Sequence, residues 1–455
     1  MAKNAPSAAR PVTRYFRQDP TVVTTSRHTL CRNRCSGVGS AGSAAAAAGV
    51  PGSSACTPQT VVAAMPDPSR LARRALPCLM HDRTVLGPAD VSDGELAAMV
   101  ADLLQVPSVE VTSCRAEQVD YDIPAITTAG RYLVTGDAVV DGGRRPYAFF
   151  VKHVQEWTRS PFFAEVPEEL RETAATSVPW RTEGAIYASD LADHLPDGLA
   201  VPRAVAVRTI DASSYAVWLE VVPTADVIWD IERDLAAAEL LGRFAATPGI
   251  RALASAGGHD VGVHSYVAGR LDHQVLPLLR DDDLWRHPIV APSFGPLRDR
   301  LLAAADGLPA YVEELAAVPQ LVAHGDACPN NLLVRPDRPG FTMIDFGYLA
   351  PMPVGFDLGQ LLVGDVQIGL RSSHDLAERD AACVRAYRDG LAAAGLDLPV
   401  ATVERSHALL LLLFTGLSTL PFELLGEQPT PELQDAAAVR ADIARFSLDL
   451  VDATG

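Results

Sequence analysis

The sequence predicts an α+β chain of two lobes, a small one built on an antiparallel sheet with a helix and a large, mostly helical one. Three observations carry this expectation. Short alternating or β-branched segments crowd residues 108–222, bounded by turn residues. Past residue 230 the apolar spacing becomes helical, and sheet first with helices later is the order of an α+β chain. Between the later helices, residues 321–347 read as three short strands broken by turns and by oxygen-bearing side chains.

The elements follow in order. Residues 1–79 are rich in Arg and Ser, poor in acids, and include a low-complexity run at 40–54. Such a segment cannot bury enough apolar surface to offset the entropy of ordering, so a disordered tail is expected. Its composition is that of a transit peptide. Alternatively, the natural start is Met80, where the composition changes abruptly. Residues 90–106 then read as an amphipathic helix, opened by Ser92 with Glu95 three residues on, a capping-box pattern. Strands are expected near 108–114, 131–139 and 147–154, a helix around Glu183, and strands near 203–210 and 215–222. Helices are expected at 230–246, 295–317, 357–364, 375–394, 402–425 and 431–451.

Composition narrows the function classes. The chain has 455 residues, which suggests two or three domains, and a net charge of −18. Residues 1–80 carry ten basic and two acidic side chains, so the body is more acidic than the total implies. An acidic body argues against nucleic acid, whose phosphates it would repel. It suits steering of a cationic or polar small molecule, and plain solubility equally well. Of seven cysteines, only Cys114, Cys328 and Cys383 lie in the body, which fits a reducing cytoplasm. Cys31 and Cys35 have no second pair at zinc spacing. The longest apolar run, 408–422, is interrupted by Thr415, Gly416 and Pro421. It is too short for a span of about 20 residues and is expected to be a buried helix, with no membrane partner.

The chemistry concentrates in His324-Gly325-Asp326, Asn331 five residues past that aspartate, and Asp345-Phe346-Gly347. Residues 332–334 and 341–344 form a hairpin around the turn 335–340, so Asn331 enters it and Asp345 leaves it. Both side chains can then meet one ion, with Asp326 one loop upstream facing an acceptor. Phosphoryl transfer needs such a set: a base for the attacking hydroxyl and hard oxygens for magnesium on nucleotide phosphates. The plainer alternative is a buried histidine with two loop carboxylates that cap turns. A second signal is Lys152. The chain has 38 Lys plus Arg, yet lysine occurs only at positions 3 and 152. Lys152 sits in a strand pattern, where a compact point charge on a flexible stem suits phosphate oxygens. The alternative is a lysine that blunts a sheet edge. Glu183, in the first turn of a helical pattern, is its natural ion-pair partner, or else a carboxylate placed there by the helix dipole.

With those residues in place, the chain resembles the aminoglycoside phosphotransferase and choline kinase family, which shares the bilobal protein-kinase-like fold. The resemblance covers most of the chain after about residue 80 and is sharpest over 321–362. It implies an ATP- or GTP-dependent, magnesium-using kinase acting on a hydroxyl of an aminoglycoside-like or other small acceptor. It implies a nucleotide-binding lobe at 80–222 and a catalytic, acceptor-binding lobe at 223–455. Carried over residue by residue, it makes Asp326 the catalytic aspartate and Asn331 and Asp345 the magnesium ligands. Lys152 would hold the phosphates, with Glu183 pairing to it. His324 and Gly325 would shape the loop, and Asp357 would brace it. Backbone groups near Glu220 and Val222 would meet the adenine at the interlobe hinge. Cys328 and Asn330 depart from the residues common there. The glycine-rich loop of protein kinases is missing; residues 124–131 stand in its place, where Thr127 and Thr128 would cover phosphates or simply form a hairpin turn. That absence, and the lack of an activation segment, disfavour a protein kinase. Acceptor contacts are sought among His264, Tyr266, Trp285 and His287, each of which could equally be a core or a surface residue. The alternative function is a non-catalytic nucleotide-binding or interaction protein on the same scaffold, which usually loses the base or a metal ligand.

Overall fold

The computed structural model describes residues 81–119, 126–166, 168–258 and 262–455. The expected tail at 1–79, the proposed start at Met80, and residues 124 and 125 of the phosphate-covering segment lie outside the described residues.

The small lobe is a six-stranded sheet. Its elements are β1 (His81–Asp82), α1 (Asp93–Leu103), β2 (Glu110–Gln118), β3 (Thr128–Val140), β4 (Gly143–Gln155), α2 (Thr182–Tyr187), β6 (Ala204–Asp211) and β7 (Ser214–Glu220), while the short β5 (Leu199–Ala200), between α2 and β6 in the chain, belongs to another sheet. The sheet order is β1-β2-β3-β4-β7-β6, antiparallel except for the β1–β2 pair. The capping box forms as expected: the Ser92 hydroxyl accepts from the Glu95 amide while the Glu95 carboxylate accepts from the Ser92 amide. Alternation then assigns the sheet's two faces. Tyr132, Val134, Phe149, Val151 and Trp218 enter a core with Leu86, Leu96 and Val100 from the α1 side. Phe150, Val154, Val217 and Leu219 form the opposite face, which carries Lys152.

The large lobe begins with α3 (Ile231–Ala246), capped by Asp230, whose carboxylate accepts from the Arg233 amide. After a run of shorter helices come β8 (Gln320–Ala323), β9 (Leu332–Val334), β10 (Phe341–Met343) and β11 (Ala350–Pro353). β9 and β10 make the expected hairpin, with Met343 opposite Leu332, and β10 also pairs with β5. β8 pairs antiparallel with β11, holding the two ends of the 324–349 stretch together. Helices α4 (Phe356–Gln367), α5 (Leu376–Ala393), α6 (Val400–Phe414) and α7 (Pro431–Thr454) complete the fold around two large apolar cores.

Three expectations need correction. The single helix at 295–317 is broken at Gly307 into Arg298–Asp306 and Leu308–Ala317, because Pro309 supplies no amide to continue the ladder. The helix expected to run to 425 ends at Phe414, where Thr415 leaves helical geometry (φ −122°, ψ −60°). The apolar run there is longer than expected: Val400–Leu424 is long and apolar enough to cross a membrane by length and composition. However, 83% of its most apolar stretch is buried, so burial rather than length marks it as core. The short strands β1, β5 and β11 were not anticipated.

Candidate active site

Lys152 is brought to the cleft by β4, a central strand paired on both sides, and its side chain is 10% exposed. A strand-edge role is therefore ruled out. Its ammonium reaches Glu183 of α2 at 2.6 Å and Asp345 of the large lobe at 3.0 Å. Burial pulls the Lys152 ammonium toward its neutral form, but Asp345 and Glu183 outweigh it and hold the pKa above the ordinary value. Burial likewise opposes ionisation of Asp345, and Lys152 reverses that, leaving the carboxyl below its usual range. Asp345 adopts a left-handed backbone (φ +65°), a conformation that costs a non-glycine residue on the order of 1 kcal/mol. The turn places its carboxylate back toward the sheet.

The other residues gather below this pair. Asn331 closes the short turn Pro329–Asn331, its own amide donating to the Cys328 carbonyl, and its carbonyl accepts from the Ile344 amide. Asn331 and Asp345 thus flank the hairpin as its sequence predicts. Asn331 Nδ2 donates to the Asp326 carbonyl at 2.8 Å and to Asp326 Oδ2 at 2.9 Å. Burial, reinforced by the negative charge of Asp345, pushes the Asp326 carboxyl up to about 7. His324 is buried and held at about 4 by burial, so its imidazole is neutral near pH 7. Nδ1 accepts from the Asp326 amide at 3.3 Å, so Nε2 carries the proton and donates to the Ile344 carbonyl at 3.0 Å. One neutral ring therefore ties the Asp326 loop to the strand end that delivers Asp345.

Asp357, near the start of α4, accepts from the His324 amide at 2.8 Å and the Gly325 amide at 3.0 Å. Burial raises its carboxyl to about 6. The loop between them needs glycine: Gly325 has φ +89°, and an added Cβ would lie 2.2 Å from the Tyr348 carbonyl oxygen. Gly325→Ala is expected to lower stability by roughly 2–4 kcal/mol, read as a lower urea midpoint at unchanged slope.

Tyr215 is a supporting residue that the sequence gives no sign of. Its hydroxyl accepts from the Gly184 amide at 3.0 Å and donates to the Trp180 carbonyl at 2.8 Å, and its ring stacks on Trp180. β7 thereby anchors the start of α2, a helix of six residues with no side-chain cap of its own. Tyr215→Phe keeps the ring but orphans a buried amide beside Glu183. The expected cost is about 1–3 kcal/mol, measurable by urea unfolding. Tyr187 of the same helix packs edge-on against Phe346, at 5.7 Å between ring centroids.

The remaining candidates sit apart from this cluster. Glu220 ends β7; its amide donates to the Arg203 carbonyl and its carboxylate accepts from the Arg203 amide. That leaves the backbone beyond it, toward the buried Val222, for a hinge contact. Thr127 and Thr128 lie at the start of β3, and the Thr127 carbonyl accepts from the Gln155 amide. Trp285 is a core residue whose Nε1 donates to the Leu279 carbonyl. His287 Nδ1 caps the Ile289 amide, Tyr266 stacks on Phe414, and His264 is exposed.

The model of the phosphotransferase enzyme family (APH) matches residues 139–396. No curated protein matches the chain. Among solved structures, a spectinomycin phosphotransferase in complex with ADP and spectinomycin is 10% identical, with 80% of this chain and 98% of that chain covered and a TM-score of 0.43. An amicoumacin kinase in complex with AMP-PNP and Ca2+ is 14% identical, covering 80% and 96%, with a TM-score of 0.41. An aminoglycoside phosphotransferase from Streptomyces rimosus, in complex with ADP and streptomycin, is 16% identical, covering 62% and 90%, with a TM-score of 0.33. The family match spans more than half of the sequence, and the chain belongs to the phosphotransferase enzyme family.

Proposed function

We propose that the protein transfers the γ-phosphate of ATP to a hydroxyl of a small, aminoglycoside-like or otherwise hydroxylated acceptor, working in a reducing cytoplasm. The observation that carries this reading is the convergence of one small-lobe ammonium, Lys152, with Asp345 of the large lobe, next to the paired Asp326 and Asn331. In this reading, residues 80–222 bind nucleotide and residues 223–455 supply catalysis and the acceptor site. The backbone at 220–222 meets the nucleobase, and Thr127 and Thr128 lie over the phosphates.

The residues fit a divalent cation. Asn331 commits Nδ2 to Asp326, which leaves its Oδ1 as the atom that would hold a metal. Asp345 gives Oδ1 to Lys152 and stays 41% exposed, so its second oxygen can face a cation. Among the described residues no three His, Cys, Asp or Glu side chains gather around one point. A site with one amide and one carboxylate suits magnesium, which takes its other ligands from phosphates and water. When bound, the cation neutralises charge on the β- and γ-phosphate oxygens. Lys152 orients the phosphates, and Glu183 keeps its ammonium extended. Asp326 accepts a hydrogen bond from the acceptor hydroxyl and aligns it with the γ-phosphorus. The new O–P bond forms as the bond to ADP breaks, and the hydroxyl proton passes to Asp326. A carboxyl near 7 is well matched to taking that proton at neutral pH. Positioning and charge neutralisation supply most of the acceleration.

The test is ADP release by the full chain with magnesium and ATP, against a panel of aminoglycosides, macrolides, amino-alcohols, choline-like alcohols and sugars. Acceptor-dependent turnover that is lost with EDTA is expected. Absence of turnover with every member, in protein that binds ATP, would count against a small hydroxylated acceptor.

A further inference from the structure

In the β3–β4 ladder, Arg131 lies directly across from Lys152. Opposed residues in an antiparallel pair project to the same face, with Cβ atoms about 4.5–5.5 Å apart. The neighbouring pair, Tyr132 and Val151, enters the core under α1, so the Arg131–Lys152 pair points the other way. That direction is independently fixed, because the Lys152 ammonium contacts Glu183 and Asp345. The half-buried Arg131 therefore rises into the cleft beside the site.

Its charge is felt there. Arg131 works against protonation of Lys152 and favours the ionised forms of Glu183 and Asp345, in each case as a smaller influence than burial. Two cations directly opposite on adjacent strands repel, and the Glu183 and Asp345 carboxylates, on which both cations act, offset that repulsion. The local backbone is built for the placement. β3 bulges between Thr128 and Gly130, immediately before Arg131, and a bulge re-aims the side chains that follow it. Gly130 makes room for the Tyr132 ring, whose Oη would stand 2.3 Å from any Cβ there.

The sequence before Lys152 has no glycine-rich pattern like the one that covers nucleotide phosphates in protein kinases. A planar guanidinium holds two phosphate oxygens in a fixed bidentate geometry, where an ammonium acts as a point charge. We infer that Arg131 is a second phosphate ligand, its guanidinium meeting the β- and γ-phosphate oxygens alongside Lys152. This rests on the nucleotide-cleft reading above. The family match begins at residue 139, downstream of Arg131.

Calorimetric titration of the full chain with ATP, ADP, AMP and adenosine, each with magnesium, tests it. For Arg131→Ala the affinity loss should climb with phosphate number. Roughly 10–100-fold is expected for ATP, less for ADP, and little for AMP and adenosine. Arg131→Lys should recover part of the ATP affinity. A loss equal across all four ligands would make Arg131 a structural residue, and no loss would remove it from the site; either overturns the inference. If the alanine variant does not fold, Arg131→Gln and Arg131→Lys carry the same comparison. Wild-type protein that binds none of the four would sink the nucleotide cleft itself. An equal loss across the four ligands in the variant, where the wild-type protein binds ATP, would sink Arg131 alone.

Discussion

Asp326→Ala should leave nucleotide binding nearly intact while transfer to the acceptor falls on the order of 10³-fold or more. The expectation follows from where the carboxylate sits. Asp326 is held by Asn331 through two hydrogen bonds, to its carbonyl and to Oδ2. It makes no ion pair with Lys152, which belongs to Glu183 and Asp345. Removing the carboxyl therefore leaves the phosphate-holding cation in place. It deletes the group that aligns the attacking hydroxyl and receives its proton. The loop itself should survive, since its fold depends on the Asp357 carboxylate and the His324 ring. The informative measurement is a pair: ATP affinity by titration calorimetry and single-turnover transfer. A fall in kcat with ATP affinity unchanged supports the assignment. Unchanged turnover would end it, and parallel loss of both would mean that Asp326 is instead a support for the cation site.

How much of this was legible in the sequence depends on how local each signal is. The hairpin that sets Asn331 against Asp345 was readable, because its strands, turn and flanking residues lie within fifteen positions of one another. The Ser92–Glu95 box was readable for the same reason. Lys152 and Glu183 could be named by residue type and pattern, and their contact agrees with the pairing expected from them. Arg131 could not, because its position opposite Lys152 depends on β-register, and register depends on a bulge whose presence no local pattern announces. Tyr215 was hidden for a related reason: its role is a contact with Trp180 and Gly184, more than thirty residues away. The broken helix at Gly307 was missed although Pro309 marks it, since apolar periodicity continues across the break. For Trp285, where residue type left core and binding equally open, the fold chooses core.

Lys152→Met should cost both function and stability, and the two losses can be separated. Methionine fills much of the same volume, so the apolar stem's packing survives while the charge is lost. Glu183 and Asp345 then lose the ammonium that contacts both, with only the charge of Arg131 nearby to offset them, and the Glu183 side chain is only 7% exposed. Removing one partner of a buried pair costs about 3–5 kcal/mol, because the remaining charge is desolvated and uncompensated. Transfer should fall on the order of 10³-fold as the phosphates lose their point charge. Adding Glu183→Gln removes the stranded carboxylate. The double variant should regain much of the stability, since a neutral amide can be buried at lower cost. It should regain none of the transfer. If turnover returns together with the urea midpoint, Lys152 acts only by holding α2 in place, and the phosphates are positioned by something else. If stability returns and transfer does not, the ammonium itself is required, and the Glu183 contact matters because it keeps that charge extended into the cleft.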